Sequence, residues 1–278
     1  MLLFRAASEA QLPDTLQLPI NYDYNYIDND TALYHLKDYF RMSRDSVSRP
    51  LRILHIGDSH VKSGFFAETF AQLMDSVIRN YTSRVIVHDS DTTVVKLNVM
   101  AKNGAMAKTI LESVYIDTAV QQFNPDLAIV SLGTNEAYNK LTMDSLSWYH
   151  EMLIAQIYRD APNCDVLVTT PPDGLKKHYT RVRISKKKKR YKRVVHYEVN
   201  EYLLDVLEYY NQLPEKMDVA IWNFFAVMGG EESIRDWNKQ GYAQGDMIHL
   251  TRQGYRLQAR LLMQAVAQTI NPQATPEE

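Results

Sequence analysis

The sequence predicts an α/β protein built on a parallel sheet covered by helices on both faces. Three observations carry that expectation. Five short β-rich apolar runs recur along the chain: Leu51–Gly57, one of the pair Arg84–His88 and Thr93–Met100, Asp126–Leu132, Asp165–Thr169 and Asp218–Trp222. Segments with helical apolar spacing lie between them, at Phe65–Ile78, Ser145–Tyr158 and Val199–Leu213. Several runs stop at glycine or proline, and a nearly continuous apolar run such as Leu127–Leu132, broken only by Ser131, is what a strand buried on both faces requires. Alternation of this kind implies a five-stranded parallel sheet with right-handed crossovers.

At 278 residues and 45% hydrophobic content the chain can bury a full core, and one large domain is expected. The net charge of −2 hides an uneven distribution. Eleven Lys/Arg and no Asp/Glu fall between Lys176 and Arg193, leaving 20 basic against 33 acidic residues elsewhere, or −13. The single cysteine, Cys164, excludes an internal disulfide framework and fits no zinc pattern. No run of 18 or more apolar residues is present, so no membrane-spanning helix is expected. Met1–Phe4 is too short for a signal-peptide core and is interrupted by Arg5 and Glu9. That leaves either a cytoplasmic protein or one whose leader is absent from this chain.

Residues 6–30 mix Pro, Asn, Asp and Tyr without a period and read as an extended arm lying across the domain, with Tyr22, Tyr24 and Tyr26 packing it down and sugar stacking as their alternative role. Ala32–Met42 follows as an amphipathic helix presenting Leu33, Leu36, Tyr39 and Phe40 on one face. Residues 1–50 therefore read as an N-terminal arm with a short helix packed on the body, and 51–278 as the main domain. Val199–Leu213 is expected to end near Pro214, and Ser233–Trp237 to form a short helix carrying aromatic surface toward the site. Uniform charge over Lys176–Arg193 repels itself, so that segment reads as a solvated loop or the exposed start of the next helix. An anionic glycan or a membrane surface is its expected partner class. Tyr179 and Tyr191 are the only Phe, Tyr or Trp residues interleaved with the charges, so nucleic acid is not expected. At the other end Thr251 is a good N-cap, with Leu250 and Tyr255 at the positions of a hydrophobic staple, so the last helix should start just after His249.

Chemistry concentrates where strands end. Gly57-Asp58-Ser59-His60 follows the first run, at the carboxyl edge where open α/β sheets bind ligands. A serine hydroxyl is a poor nucleophile without a histidine to take its proton and a carboxylate to orient that histidine. Asp246-Met247-Ile248-His249 offers the pair. Asn103-Gly104-Ala105 and Gly133-Thr134-Asn135-Glu136 supply a glycine suited to close approach and an amide donor.

Taken in this order, the four blocks resemble the SGNH (GDSL-type) hydrolase family over about Leu51 to Ala267. The resemblance implies a flavodoxin-like three-layer α/β/α sandwich and a serine esterase needing no metal or organic cofactor. It implies Ser59 as nucleophile, His249 as base and Asp246 as orienter, with Ser59, Gly104 and Asn135 forming the oxyanion hole. The extended forms G-D-S-H and G-T-N-E are most similar to the branch acting on O-acetylated polysaccharides, including peptidoglycan O-acetylesterases. They make His60 and Glu136 candidates for substrate binding, with pairing to the basic segment as the other role for Glu136. The implied substrate is an O-acetylated polysaccharide and the implied location periplasmic or secreted. An O-acetyltransferase using the same site, a lipase and a non-catalytic glycan-binding module are the alternatives.

Overall fold

A computed structural model of the chain describes residues 17–83, 85, 93–113, 116–185 and 190–270. The chain runs through β1 (Ile27–Asp28), α1 (Tyr34–Ser43), β2 (Leu51–Gly57), α2 (Ser59–Lys62), α3 (Phe65–Tyr81), β3 (Val95–Ala101), α4 (Ala107–Leu111), α5 (Ile116–Phe123), β4 (Leu127–Ser131), α6 (Thr134–Tyr138) and α7 (Met143–Asp160). It continues through β5 (Asp165–Thr169), β6 (Leu175–Ser185), β7 (Arg190–Val199), α8 (Glu201–Lys216), β8 (Ala220–Trp222), α9 (Phe224–Val227), α10 (Ser233–Lys239) and α11 (Arg252–Ile270).

The central sheet has the order β1-β8-β5-β4-β2-β3. Five strands are parallel, as the sequence implies, and the sixth, β1, adds antiparallel to the β8 edge through Ile27↔Trp222. The sheet thus has six strands rather than five. Two residues are too few to leave a period in the sequence, and the strand comes from the arm. Residues 17–50 therefore share the core with the rest of the chain. Leu33, Leu36, Tyr39 and Phe40 are all buried against the same face as α3 and α11.

Side-chain alternation along the strands separates two apolar layers. Ile53, Leu127, Ile129 and Leu167 pack with α1, α3 and α11, while Leu54, Ile56, Val130 and Val168 pack with α4, α5, α7 and α8. Both faces of the sheet are thereby covered. In α3 the buried residues Phe66, Phe70, Met74, Val77 and Ile78 recur at helical spacing, each worth about 1.5–3 kcal/mol of burial.

Several expectations are corrected. Within Lys176–Arg193 the described residues form no helix start but most of two antiparallel strands, β6 and β7, paired from Leu175↔Val199 outward, while 186–189 lie outside the described residues. The segment's tyrosines and β-branched residues sit at strand spacing, and the charges concealed that alternation in the sequence. Tyr22, Tyr24 and Tyr26 are exposed rather than packed; Ile27 and Asn25 anchor the arm instead, Asn25 accepting from Trp222 Nε1 at 3.0 Å. Helix α8 runs through Pro214 to Lys216. Trp237 is wholly buried and donates to the Met228 carbonyl at 2.9 Å, so it offers no aromatic surface to the site. Of the two candidate second strands, Val95–Ala101 pairs with β2 along its whole length. Arg84–His88 lies outside the described residues except for Val85, which bridges to Val47. No described helix is long and apolar enough to cross a membrane.

Candidate active site

Strands β2, β3, β4 and β5 all point their carboxyl ends to one edge, and their outgoing loops meet there. Gly57 closes β2 between Ala101 and Ser131. A Cβ at Gly57 would lie 2.2 Å from Val61 Cγ2, so only glycine lets the chain turn from strand into α2 at this point. Asp58 caps α2, its Oδ1 accepting from His60 N at 2.8 Å. Ser59, the first residue of that helix, has its amide without a hydrogen-bond partner among the described residues.

Ser59 Oγ lies 3.0 Å from His249 Nε2, and His249 Nδ1 lies 2.7 Å from Asp246 Oδ2. The other oxygen of Asp246 accepts from the amides of Ile248 and His249, both at 3.0 Å. Burial works against ionisation of Asp246, but its bonds with His249 and Ile248 outweigh it and hold the carboxyl below its usual range. The intervening Met247 takes φ +59, a left-handed conformation that costs a non-glycine residue about 1 kcal/mol or more. It is held there by Met247 N donating to Gln244 O at 3.1 Å and by Leu175 N donating to Met247 O at 2.9 Å. Behind the loop Thr251 Oγ1 caps α11 through Gly254 N at 3.3 Å, and Leu250 and Tyr255 are buried in one core. The helix start expected from the sequence is therefore the device that holds His249 in place.

Asn135, in the first turn of α6, donates both hydrogens of its amide: to Asp58 Oδ2 and to the Ala105 carbonyl, each at 3.0 Å. This ties the β4 loop to the β2 and β3 loops. Gly104 takes φ +72 with nothing near its Cβ position, so backbone conformation rather than space calls for glycine there. Its amide, too, has no partner among the described residues. Ser59, His249, Asp246, Asn135 and the Gly104 turn are thus gathered at one sheet edge.

The two candidate substrate contacts are both buried. Glu136 is fully buried. It accepts from Ala107 N at 2.8 Å and Gly133 N at 2.9 Å and sits 3.3 Å from His150 Nε2. Burial opposes its ionisation, yet His150 and the backbone donors hold its carboxyl below the usual range. It reaches neither a sugar nor the basic hairpin, because it fastens the β4–α6 turn to α4 and α7 from inside. Glu136→Ala would leave these buried donors without an acceptor and is expected to cost about 3 kcal/mol in urea unfolding. Glu136→Gln, which keeps one acceptor oxygen, is expected to cost less.

His60 is buried as well. Its ring stacks on His249 at 5.1 Å, and Nδ1 lies 3.1 Å from Tyr255 Oη. Burial, reinforced by His249, pushes its titration down to about 3, so it presents a neutral ring against the histidine. It supports His249 rather than touching substrate.

Sequence reasoning overlooked Asp58, whose titration burial pushes up to about 7 and whose carboxyl positions Asn135. The signal was there, since aspartate directly before a helix start is an N-cap. It also overlooked His150, which helical spacing alone marks only as a core position. Among the described residues, no group of three or more His, Cys, Asp or Glu side chains forms a metal-binding set.

Chemically, a hydroxyl bonded to an imidazole whose far nitrogen faces a carboxylate, beside unpaired backbone amides, is equipped for acyl transfer. Comparison with known proteins agrees with that chemistry. The model of the GDSL-like Lipase/Acylhydrolase family matches residues 56–257. No curated protein matches the chain significantly. Among solved structures, a peptidoglycan O-acetylesterase superposes with TM-score 0.68 at 16% identity, over 87% of this chain and 96% of that one. An acetyl xylan esterase matches with TM-score 0.52 at 16% identity, over 78% and 100%. The lipase Lip_vut3 from a goat rumen metagenome matches with TM-score 0.52 at 13% identity, over 77% and 97%. At these identities the likeness is one of fold.

Proposed function

Since this chain belongs to the GDSL-like lipase/acylhydrolase family and is accordingly a carboxylic ester hydrolase, we propose that it removes O-acetyl groups from a polysaccharide outside the cytoplasm. The observation that carries the reading is the continuous relay from Ser59 Oγ through His249 to Asp246.

In this reading Ser59 Oγ attacks the ester carbonyl while His249 Nε2 takes its proton. Asp246 keeps the other ring proton on Nδ1 and stabilises the imidazolium. The tetrahedral oxygen is met by the amides of Ser59 and Gly104, and Asn135 turns one N–H to it from the Ala105 carbonyl. His249 then protonates the departing sugar oxygen. Water, deprotonated by the same histidine, attacks the acetyl-serine; the bond from the acyl carbon to Ser59 Oγ then breaks as His249 returns the proton to Oγ, and acetic acid leaves and ionises to acetate. Acetyl as the acyl group and a glycan as the alcohol are supported by the G-D-S-H and G-T-N-E forms. The fold shared with a peptidoglycan O-acetylesterase and an acetyl xylan esterase supports the same choice.

The test is hydrolysis of p-nitrophenyl acetate, butyrate and octanoate side by side with acetate release from O-acetylated peptidoglycan and xylan. Turnover confined to the acetyl ester, with acetate freed from a polymer, is expected; preference for octanoate would overturn the assignment. Asn135→Ala is expected to lower kcat by about 10²–10³ with little change in KM, as loss of one oxyanion donor does. An effect on KM alone would remove Asn135 from the oxyanion site.

A further inference from the structure

The β6–β7 hairpin joins its cations to aromatic rings on one face. Directly opposed residues of an antiparallel pair share a face, and the register sets Lys177 beside Tyr197, Tyr179 beside Val195, Arg181 beside Arg193 and Arg183 beside Tyr191. The guanidinium of Arg193 lies 3.4 Å from the centre of the Tyr179 ring, and Lys177 sits over Tyr179 at 5.3 Å. The only acidic residue of the ribbon, Glu198, is on the other face, where it meets His178 at 3.4 Å. Tyr179 and Tyr191 are exposed. Lysine and arginine alone would protect the open edges of such a ribbon against pairing with another chain. That role needs no tyrosines among them, and it does not explain Arg181 set directly opposite Arg193, a pairing of like charges that disfavours the hairpin.

This face is continuous with the candidate active site. Tyr197 donates to the Gly245 carbonyl at 2.8 Å, and Leu175 donates to Met247 at 2.9 Å, so the hairpin stands on the loop that carries Asp246 and His249. Tyr138 Oη and Arg235 fix the same root, bonding the carbonyls of Leu175 and Tyr197, each at 2.9 Å. From Tyr197 to Tyr191 the face extends about 20 Å.

We propose that this face is a docking track for an acidic polysaccharide, with Lys177, Arg181 and Arg193 pairing with its carboxylates and the tyrosine rings stacking on its sugars. The proposal deepens the esterase reading and rests on it. A polymer must bring an ester to Ser59, which a nucleic acid does not. A lipid surface is flat and has no use for a face that runs down to the catalytic loop.

The experiment measures binding of polygalacturonate, which carries a carboxylate on each sugar, to the full chain bearing Ser59→Ala. Neutral xylan, phosphatidylglycerol vesicles and an oligo(dT) strand are measured in parallel. Polygalacturonate is expected to bind at low salt and to weaken by about tenfold or more as salt shortens the screening length. It should weaken at least about tenfold again in Lys177→Ser/Arg181→Ser/Arg193→Ser, but not in Lys192→Ser on the opposite face. Thermal unfolding shows whether the triple variant is folded. Tyr191→Ala, which removes one exposed ring, gives an independent reading with an expected loss of about fivefold. Equal affinity in the native and altered tracks, or binding to vesicles or oligo(dT) without binding to polygalacturonate, would overturn the proposal. Because binding is read without turnover, the result is separate from the esterase reading, which fails instead if the native chain hydrolyses no ester.

Discussion

Ser59→Ala is expected to lower kcat/KM for p-nitrophenyl acetate by about 10⁴ to 10⁶, with the protein still folded. The size follows from the role proposed for the hydroxyl: without the nucleophile no acyl-serine would form, and only substrate binding and the oxyanion donors would remain to assist water. The fold should hardly notice. Ser59 is half-buried, and its side chain makes one hydrogen bond, to His249, so its loss costs about 1 kcal/mol or less. Its backbone position in α2 is set by Gly57 and by the Asp58 cap, neither of which the substitution touches. Equal unfolding midpoints with activity reduced this far would separate chemistry from stability. Retention of more than about a tenth of the activity would remove Ser59 from the nucleophile's role.

Asp246→Asn is expected to cost about 10⁴ in kcat, as replacing a triad aspartate by asparagine does. An asparagine oxygen can still accept from the amides of Ile248 and His249 and keep the loop in shape. The oxygen now 2.7 Å from His249 Nδ1 becomes an N–H₂, which donates. His249 must then carry its proton on Nε2, where it faces Ser59 and cannot accept the serine proton. The defect is one of tautomer, so KM should stay nearly constant while kcat falls. A fall in stability with unchanged kcat would instead make Asp246 a purely structural residue of the left-handed turn at Met247.

How much of this was legible in the sequence depended on whether the cause was local. Strands β4 and β5 were readable because burial on both faces leaves a nearly continuous apolar run. The start of α11 was readable because Leu250, Thr251 and Tyr255 act on one another within six residues. The four blocks Gly57–His60, Asn103–Ala105, Gly133–Glu136 and Asp246–His249 were readable as blocks, and the structure gathers them at one edge. Illegible features depend on partners distant in the chain. Glu136 looked like a surface carboxylate beside a turn, and only the approach of Ala107 and His150 makes it a buried anchor. His60 looked like a substrate contact until the packing of Tyr255 and His249 enclosed it. The edge strand Ile27–Asp28 exists because β8 needs a neighbour, and two residues carry no period. In the basic segment, charge was read ahead of the alternation that pairs Tyr179 with Val195 and Arg181 with Arg193.

The measurement that bears most directly on the central claim is covalent labelling of the native protein with a serine-directed phosphonate, mapped by peptide mass spectrometry and followed against loss of ester hydrolysis. The account predicts a single adduct, on Ser59, accumulating in step with the loss of activity and absent from Ser59→Ala. Inactivation with the adduct on another residue, or turnover that persists once Ser59 is fully labelled, would contradict it.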